Sequence, residues 1–75
     1  MLTRPALVAF GRELRAARRH ARLSMPELAY RAGITRQWLF KIERGDNVKL
    51  DTIVLLAHAL GCQVSDFFPH KSPWN

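Results

Sequence analysis

The stretch SMPELAYRAGITRQWLFKIERG, residues 24–45, decides the fold. It reads as two short helices joined through one glycine. Ser24-Met25-Pro26-Glu27 is a capping box: the serine oxygen accepts the Glu27 N–H and the glutamate reaches back. Pro26 falls in the first turn, where a missing N–H does no harm. Leu28, Ala29 and Ala32 recur at helical spacing and point inward. Gly33 ends the helix as a residue able to adopt positive φ. Only Ile34 separates it from the next cap, Thr35, and the following helix runs to about Arg44 before Gly45 stops it. Leu39 and Ile42 point inward, while Arg36, Gln37, Phe40, Lys41 and Arg44 point elsewhere. Backbones at such a corner approach closely. That requires a small residue early in the first helix, here Ala29, and no Cβ clash at the turn, here Gly33. Apolar anchors at Leu28, Ala32, Ile34, Leu39 and Ile42 complete the corner.

Outward from this unit the chain continues to read as helix. A first helix spans roughly Arg4 to Arg22, with Pro5 tolerated in its first turn. Leu7, Phe10, Leu14, Ala17 and Ala21 form its apolar face, Arg12, Arg15, Arg19 and Arg22 form another, and Arg18 lies at the apolar edge. After the loop Asp46-Asn47-Val48, a fourth helix runs from about Leu50 to Leu60 on a core stripe of Ile53, Leu56, Ala57 and Leu60. Ser65-Asp66-Phe67-Phe68 opens a short fifth helix that Pro69 limits. No stretch alternates with period two, so strands are not expected. The expectation is one all-α, five-helix domain over residues 1–75, with a core over 4–68 and a flexible tail over 69–75.

Seventy-five residues and 8.6 kDa leave no room for a large catalytic cleft, a dinucleotide fold or a barrel. No apolar run is long enough to span a membrane, and the start lacks the apolar stretch of a signal peptide. The single cysteine, Cys62, excludes an internal disulfide and fits a reducing cytoplasm. His20, His58 and His70 are not at metal-ligand spacing with it, so no metal or cofactor is expected. The net charge of +6 is unevenly spread. Residues 1–45 hold ten basic groups against three acids, a balance of +7, and the remainder is −1. A basic half beside a near-neutral half suggests a polyanion-binding surface next to a packing or assembly surface; solubility alone is the plainer reading.

Residues 10–68 resemble the Cro/phage-repressor (xenobiotic-response-element) type of helix-turn-helix domain, a five-helix, lambda-repressor-like module. The resemblance rests on Phe10-Gly11, Leu14-Arg15 and Arg18, then on Leu23-Ser24 with Glu27-Leu28-Ala29. It continues through Gly33-Ile34-Thr35-Arg36, Ile42-Glu43-Arg44-Gly45, Leu50 to Ala59-Leu60-Gly61, and Val64-Ser65. The compact size and the Arg36–Arg44 segment are similar to controller proteins of restriction–modification operons, and Arg36-Gln37-Trp38-Leu39 is similar to some small antitoxins. The resemblance implies a third helix in the DNA major groove. Arg36, Gln37 and Lys41 match base-reading positions: Arg suits guanine O6/N7 and Gln suits adenine N6/N7. Phe40 would face the groove and pack on a thymine methyl, and Thr35, Trp38 and Arg44 would sit near phosphates. Two departures stand out. Met25 occupies a position where the family often has a phosphate-holding Gln, which leaves only the helix-start N–H to serve. Lys49 replaces a Ser/Thr cap and is free to reach a phosphate instead. Arg18 and Glu43 match an ion pair that also aims Arg18 toward the DNA backbone; solvated charges are the alternative. Cys62 is expected as an inert core thiol despite its i, i+4 spacing from His58.

Plainer readings stand beside several of these. The Arg12, Arg15, Arg19 and Arg22 stripe is either a solvated face or a partial phosphate contact, and Trp38 is either core packing or a backbone contact. Phe67, Phe68 and Trp74, with Val64, either close the small core or form a two-fold dimer interface that sets two recognition helices about 34 Å apart. The expected function is a sequence-specific, double-stranded-DNA-binding transcriptional regulator, homodimeric and autoregulatory, acting on a pseudo-palindromic operator in the cytoplasm. The alternative is an antitoxin that binds a toxin protein and its own operator. RNA polymerase is a further candidate partner and a membrane is not. No paired carboxylates or metal ligands suggest an enzyme.

Overall fold

The computed structural model describes residues 2–68. Four α-helices, α1 (Arg4–His20), α2 (Met25–Ala32), α3 (Arg36–Glu43) and α4 (Leu50–Leu60), precede one 3-10 turn, Val64–Phe67. The described residues contain no strand. The fifth element is therefore a single 3-10 turn rather than a fifth α-helix. Its cap is Gln63 rather than Ser65, and the Gln63 N–H donates to Asp66 Oδ2 at 3.0 Å. Its purpose is to deliver Phe67 into the core, where the ring meets Phe10 edge-on at 5.3 Å. Phe68, ahead of Pro69, then leaves helical geometry with φ −129° and ψ 43°. The expected flexible tail over 69–75, with Trp74 and His70, lies outside the described residues.

The first helix stops at His20, two residues earlier than its sequence pattern suggests. Arg22 takes a left-handed φ of 59°, its N–H donates to the Arg19 carbonyl, and the Leu23 N–H donates to the Arg18 carbonyl at 3.1 Å. This is a Schellman closure made without glycine. It turns the chain so that Leu23 enters the core and leaves Ala21 exposed, off the apolar face assigned to it. The α2 and α4 helices close in the same way at Gly33 and Gly61, with φ of 74° and 70°.

Phe10, Leu14, Leu28, Leu39, Ile42, Leu56 and Phe67 form the fully buried centre, drawn from all five elements. Ala29 and Ala32 are buried beside them, and Ile34 packs partly against them. Among the glycines, the close backbone approach is not at the α2–α3 corner. A Cβ on Gly33 would meet nothing within 4 Å, so the corner needs glycine for its φ alone. A Cβ on Gly11 would lie 2.6 Å from the Glu43 carbonyl oxygen and 2.8 Å from that of Ile42. Thus α1 and α3 touch backbone to backbone at Gly11.

An ion pair fixes the same junction. Arg18 Nε and Nη2 donate to Glu43 Oε2 and Oε1 at 2.8 and 3.1 Å, and Nη1 donates to the Leu23 carbonyl at 3.0 Å. Both residues are buried, at 9% exposure. One guanidinium thus ties the end of α1, the approach to α2 and the end of α3. All three of its nitrogens donate inward, so the geometry leaves Arg18 little surface for the phosphate contact expected of it.

Candidate nucleic-acid interface

The α3 helix is eight residues, about 12 Å long at 1.5 Å per residue, and an α-helix with its side chains, about 10–12 Å across, is what a B-DNA major groove about 12 Å wide admits. Thr35 starts it by accepting the Trp38 N–H at 3.0 Å, and the hydroxyl proton stays available to a further acceptor. Leu39, Ile42 and Glu43 face the core. Arg36, Gln37, Phe40, Lys41 and Arg44 are all exposed. At 3.6 residues per turn these five cover about 140° of the circumference. The opposite arc is filled by the core, so the outward set has one orientation.

Arg36, Gln37, Phe40 and Lys41 line a shallow open groove together with Met25 from the start of α2. A second depression, bounded by Arg15, Met25, Phe40, Glu43 and Arg44, continues it. Phe40 is 48% exposed and the Arg44 guanidinium lies 5.3 Å from its ring centroid. This geometry separates the arginine stripe of α1: Arg15 joins the candidate site, while Arg12, Arg19 and Arg22 border neither depression. Trp38 packs partly against the core on the other flank, where it borders Arg4, Asn47, Val48 and Lys49. The core-packing reading of Trp38 therefore holds in part. Nothing in the sequence signals that Arg4 and Asn47 lie beside Trp38, because only the packing of α1 against α3 brings a helix start and a loop to this edge. Lys49 is exposed and makes no side-chain cap for α4.

The capping box of α2 forms as its sequence predicts. Glu27 N–H donates to Ser24 Oγ at 3.2 Å, and Ser24 N–H donates to Glu27 Oε1 at 2.9 Å. Pro26 has no N–H, so Met25 supplies the remaining donor at this helix start. The Ser24 backbone bond, followed by the bond with its side chain, holds the Glu27 carboxyl below its ordinary pKa. A phosphate at this end thus meets one N–H beside an ionised carboxylate. The Met25 side chain instead borders the α3 groove, a placement with no signal in the sequence.

The candidate assembly residues divide. Phe67 is 1% exposed and belongs to the core, so it offers no surface to a second chain. Phe68 stacks on Phe10 at 5.6 Å yet stays 45% exposed, and Val64 is half-buried. Phe68 borders an apolar hollow with Leu2, Val48, Leu50 and Ile53. Leu50 and Val54 on α4 are 70% and 49% exposed. Neither belongs to the inward stripe of α4, and apolar residues off that stripe are the sequence signal of a second apolar face.

Cys62 is half-buried, and burial, aided by Asp66, pushes its thiol pKa up, which lowers its thiolate fraction at neutral pH. Among the described residues no three His, Cys, Asp or Glu side chains gather as a metal site, and no helix is long and apolar enough to cross a membrane.

The helix-turn-helix domain family matches residues 9–67. No curated protein sequence matches the chain. Among solved structures, the restriction-modification controller protein C.AhdI from Aeromonas hydrophila is similar at 40% identity and a TM-score of 0.81, covering 83% of this chain and 96% of its own. The clp gene regulator ClgR from C. glutamicum is similar at 30% identity and a TM-score of 0.79, covering 83% and 82%.

Proposed function

The chain belongs to the helix-turn-helix domain family, and on that premise we propose that it is a sequence-specific double-stranded-DNA-binding regulator of transcription, of the controller type, acting as a homodimer on a pseudo-palindromic operator of its own gene. One observation carries this reading: the outward arc of α3 presents Arg36, Gln37, Phe40 and Lys41 together, on a helix held from behind by the core and by the Arg18–Glu43 pair. Arg36 and Gln37 read guanine and adenine edges, and Lys41 reads a second acceptor. Arg15, Arg44, Lys49 and the Thr35 hydroxyl neutralise or bind phosphates, with Trp38 and the Met25 N–H at the groove's rims. These contacts make affinity salt-dependent, and the base contacts add selectivity. Phe68, Val64, Leu50 and Val54 form the two-fold contact that spaces two α3 helices by one DNA turn.

The test is fluorescence anisotropy with a duplex from immediately upstream of the gene, beside a scrambled duplex of equal composition, at about 150 mM salt. Binding roughly 1,000-fold tighter to the native duplex is expected. Equal, weak binding to both reduces the charge to a generic polyanion surface and overturns the proposal.

A further inference from the structure

The candidate interface is polar and mostly cationic around an apolar centre. Met25 and Phe40 border both depressions of the site, so an apolar pair sits between Arg36 and Lys41 on one side and Arg15 and Arg44 on the other. The core does not need the Phe40 ring, since Leu39 and Ile42 fill that side of α3 at 0% exposure. Nor is the ring loose, because the Arg44 guanidinium lies against it. A ring held at 48% exposure beside a half-buried methionine wants an apolar ligand. Resting on the DNA reading above, we propose that Met25 and Phe40 form a receptor for the 5-methyl group of a pyrimidine, read beside a guanine bound by Arg36.

The chemistry of the groove narrows the ligand to this group. The floor of the major groove is polar except for the methyl at pyrimidine C5, present in thymine and in 5-methylcytosine and absent from cytosine. Insertion of Phe40 between base steps is the other use of such a ring, but wedges of that kind act from the minor groove. Arg36 borders the same depression and its fork suits guanine O6 and N7. A methylated pyrimidine beside a guanine therefore satisfies the apolar centre and the cationic wall together. The consequence is a regulator sensitive to cytosine C5 methylation wherever a cytosine takes the thymine's place.

The test starts from duplexes selected by the wild-type protein from a random library. Each thymine of a half-site is then replaced by uracil, which removes only the methyl. In parallel, cytosine and 5-methylcytosine are placed at the responsive position. One position per half-site is expected to lose about three- to fivefold in affinity on thymine-to-uracil exchange, the worth of one buried methyl. Methylation of a cytosine placed there restores a similar factor. Phe40→Ala brings the thymine-to-uracil ratio to one, whereas Met25→Leu preserves it. Circular dichroism melts check that both variants fold. Selective binding with a ratio of one at every thymine, or a ratio untouched by Phe40→Ala, overturns the methyl receptor and leaves the DNA reading standing. Failure to select any duplex over scrambled sequence overturns both.

Discussion

The two faces of α3 are built on opposite terms. On the inner face Leu39 and Ile42 are wholly buried, the Ile42 and Glu43 carbonyls press on Gly11, and the Glu43 carboxylate is held by two nitrogens of Arg18. On the outer face Arg36, Gln37 and Lys41 project from the helix, and Arg44 lies against the Phe40 ring. Eight residues thus serve as both anchor and probe. The inner face spends its interactions on fixing the helix axis and rotation. That leaves Arg36, Gln37 and Lys41, among the described residues, without an internal hydrogen bond or ion pair that a ligand would have to break. The comparison teaches that the charges most visible in the sequence are not equivalent: Arg18 is structural, and Arg15, three residues earlier, belongs to the surface.

The largest break in that comparison comes from the anchor. Arg18→Met leaves the Glu43 carboxylate buried without its partner and is expected to destabilise the fold by about 3–5 kcal/mol. Urea unfolding measures it. The double variant Arg18→Met, Glu43→Met removes the orphaned charge and is expected to recover more than half of the loss. A single variant that costs under about 1 kcal/mol behaves as an exposed pair and denies Arg18 the anchoring role.

Next in size is the backbone contact. Gly11→Ala places a Cβ 2.6 Å from a carbonyl oxygen, and backbone cannot rotate aside as a side chain can. The expected cost is about 3 kcal/mol, the upper part of the range for overpacking. Gly33→Ala meets open space and suffers only its left-handed φ, about 1 kcal/mol. Thermal melts of the two variants rank them, and a reversed order means that α1 and α3 separate without penalty.

These two glycines also mark what the sequence made legible. Gly33 was readable because helix ends and caps are local: Ser24, Glu27, Gly33 and Thr35 act on neighbours three or four positions away. Gly11 was not, because its reason lies thirty-two residues further along the chain, in Glu43. A glycine inside a helix, a position that ordinarily disfavours it relative to alanine, was the one local hint. The same division runs through the site. The outward residues of α3 followed from helical periodicity, whereas Arg4, Asn47, Arg15 and the Met25 side chain depend on which helices cross. The Arg22 closure and the 3-10 turn escaped because neither uses the glycine or serine that usually announces such an end.

A smaller effect separates the members of the α1 stripe. Arg15→Ala is expected to reduce the slope of log affinity against log salt by about 1, as the loss of one phosphate contact does. Arg12→Ala leaves that slope unchanged, because Arg12 borders neither depression of the site. Both substitutions are on exposed positions and shift stability by less than about 0.5 kcal/mol. Equal slopes for the two variants would mean that α1 acts through diffuse charge, and the boundary drawn between Arg15 and the rest of its stripe disappears.

The smallest effect concerns the helix start beside the probe. The Ser24 hydrogen bonds hold the Glu27 carboxyl below its ordinary pKa, so its ionised form stabilises the fold. That contribution is complete above the ordinary glutamate range and is lost as pH falls through the lowered value. Glu27→Gln keeps an oxygen for the Ser24 N–H but removes the charge that favours a helix N-terminus. Its melting temperature is therefore expected to lie slightly below wild type at neutral pH, with the gap closing in acid. The Arg18–Glu43 pair is common to both proteins and cancels from the difference. The same substitution removes the one negative charge at the α2 start, where Met25 offers its N–H, and is expected to strengthen duplex binding at low salt. A variant that loses stability at neutral pH while gaining DNA affinity shows one residue serving the anchor against the probe. A pH-independent gap would instead assign the capping bond to the oxygen alone, with no part for its charge.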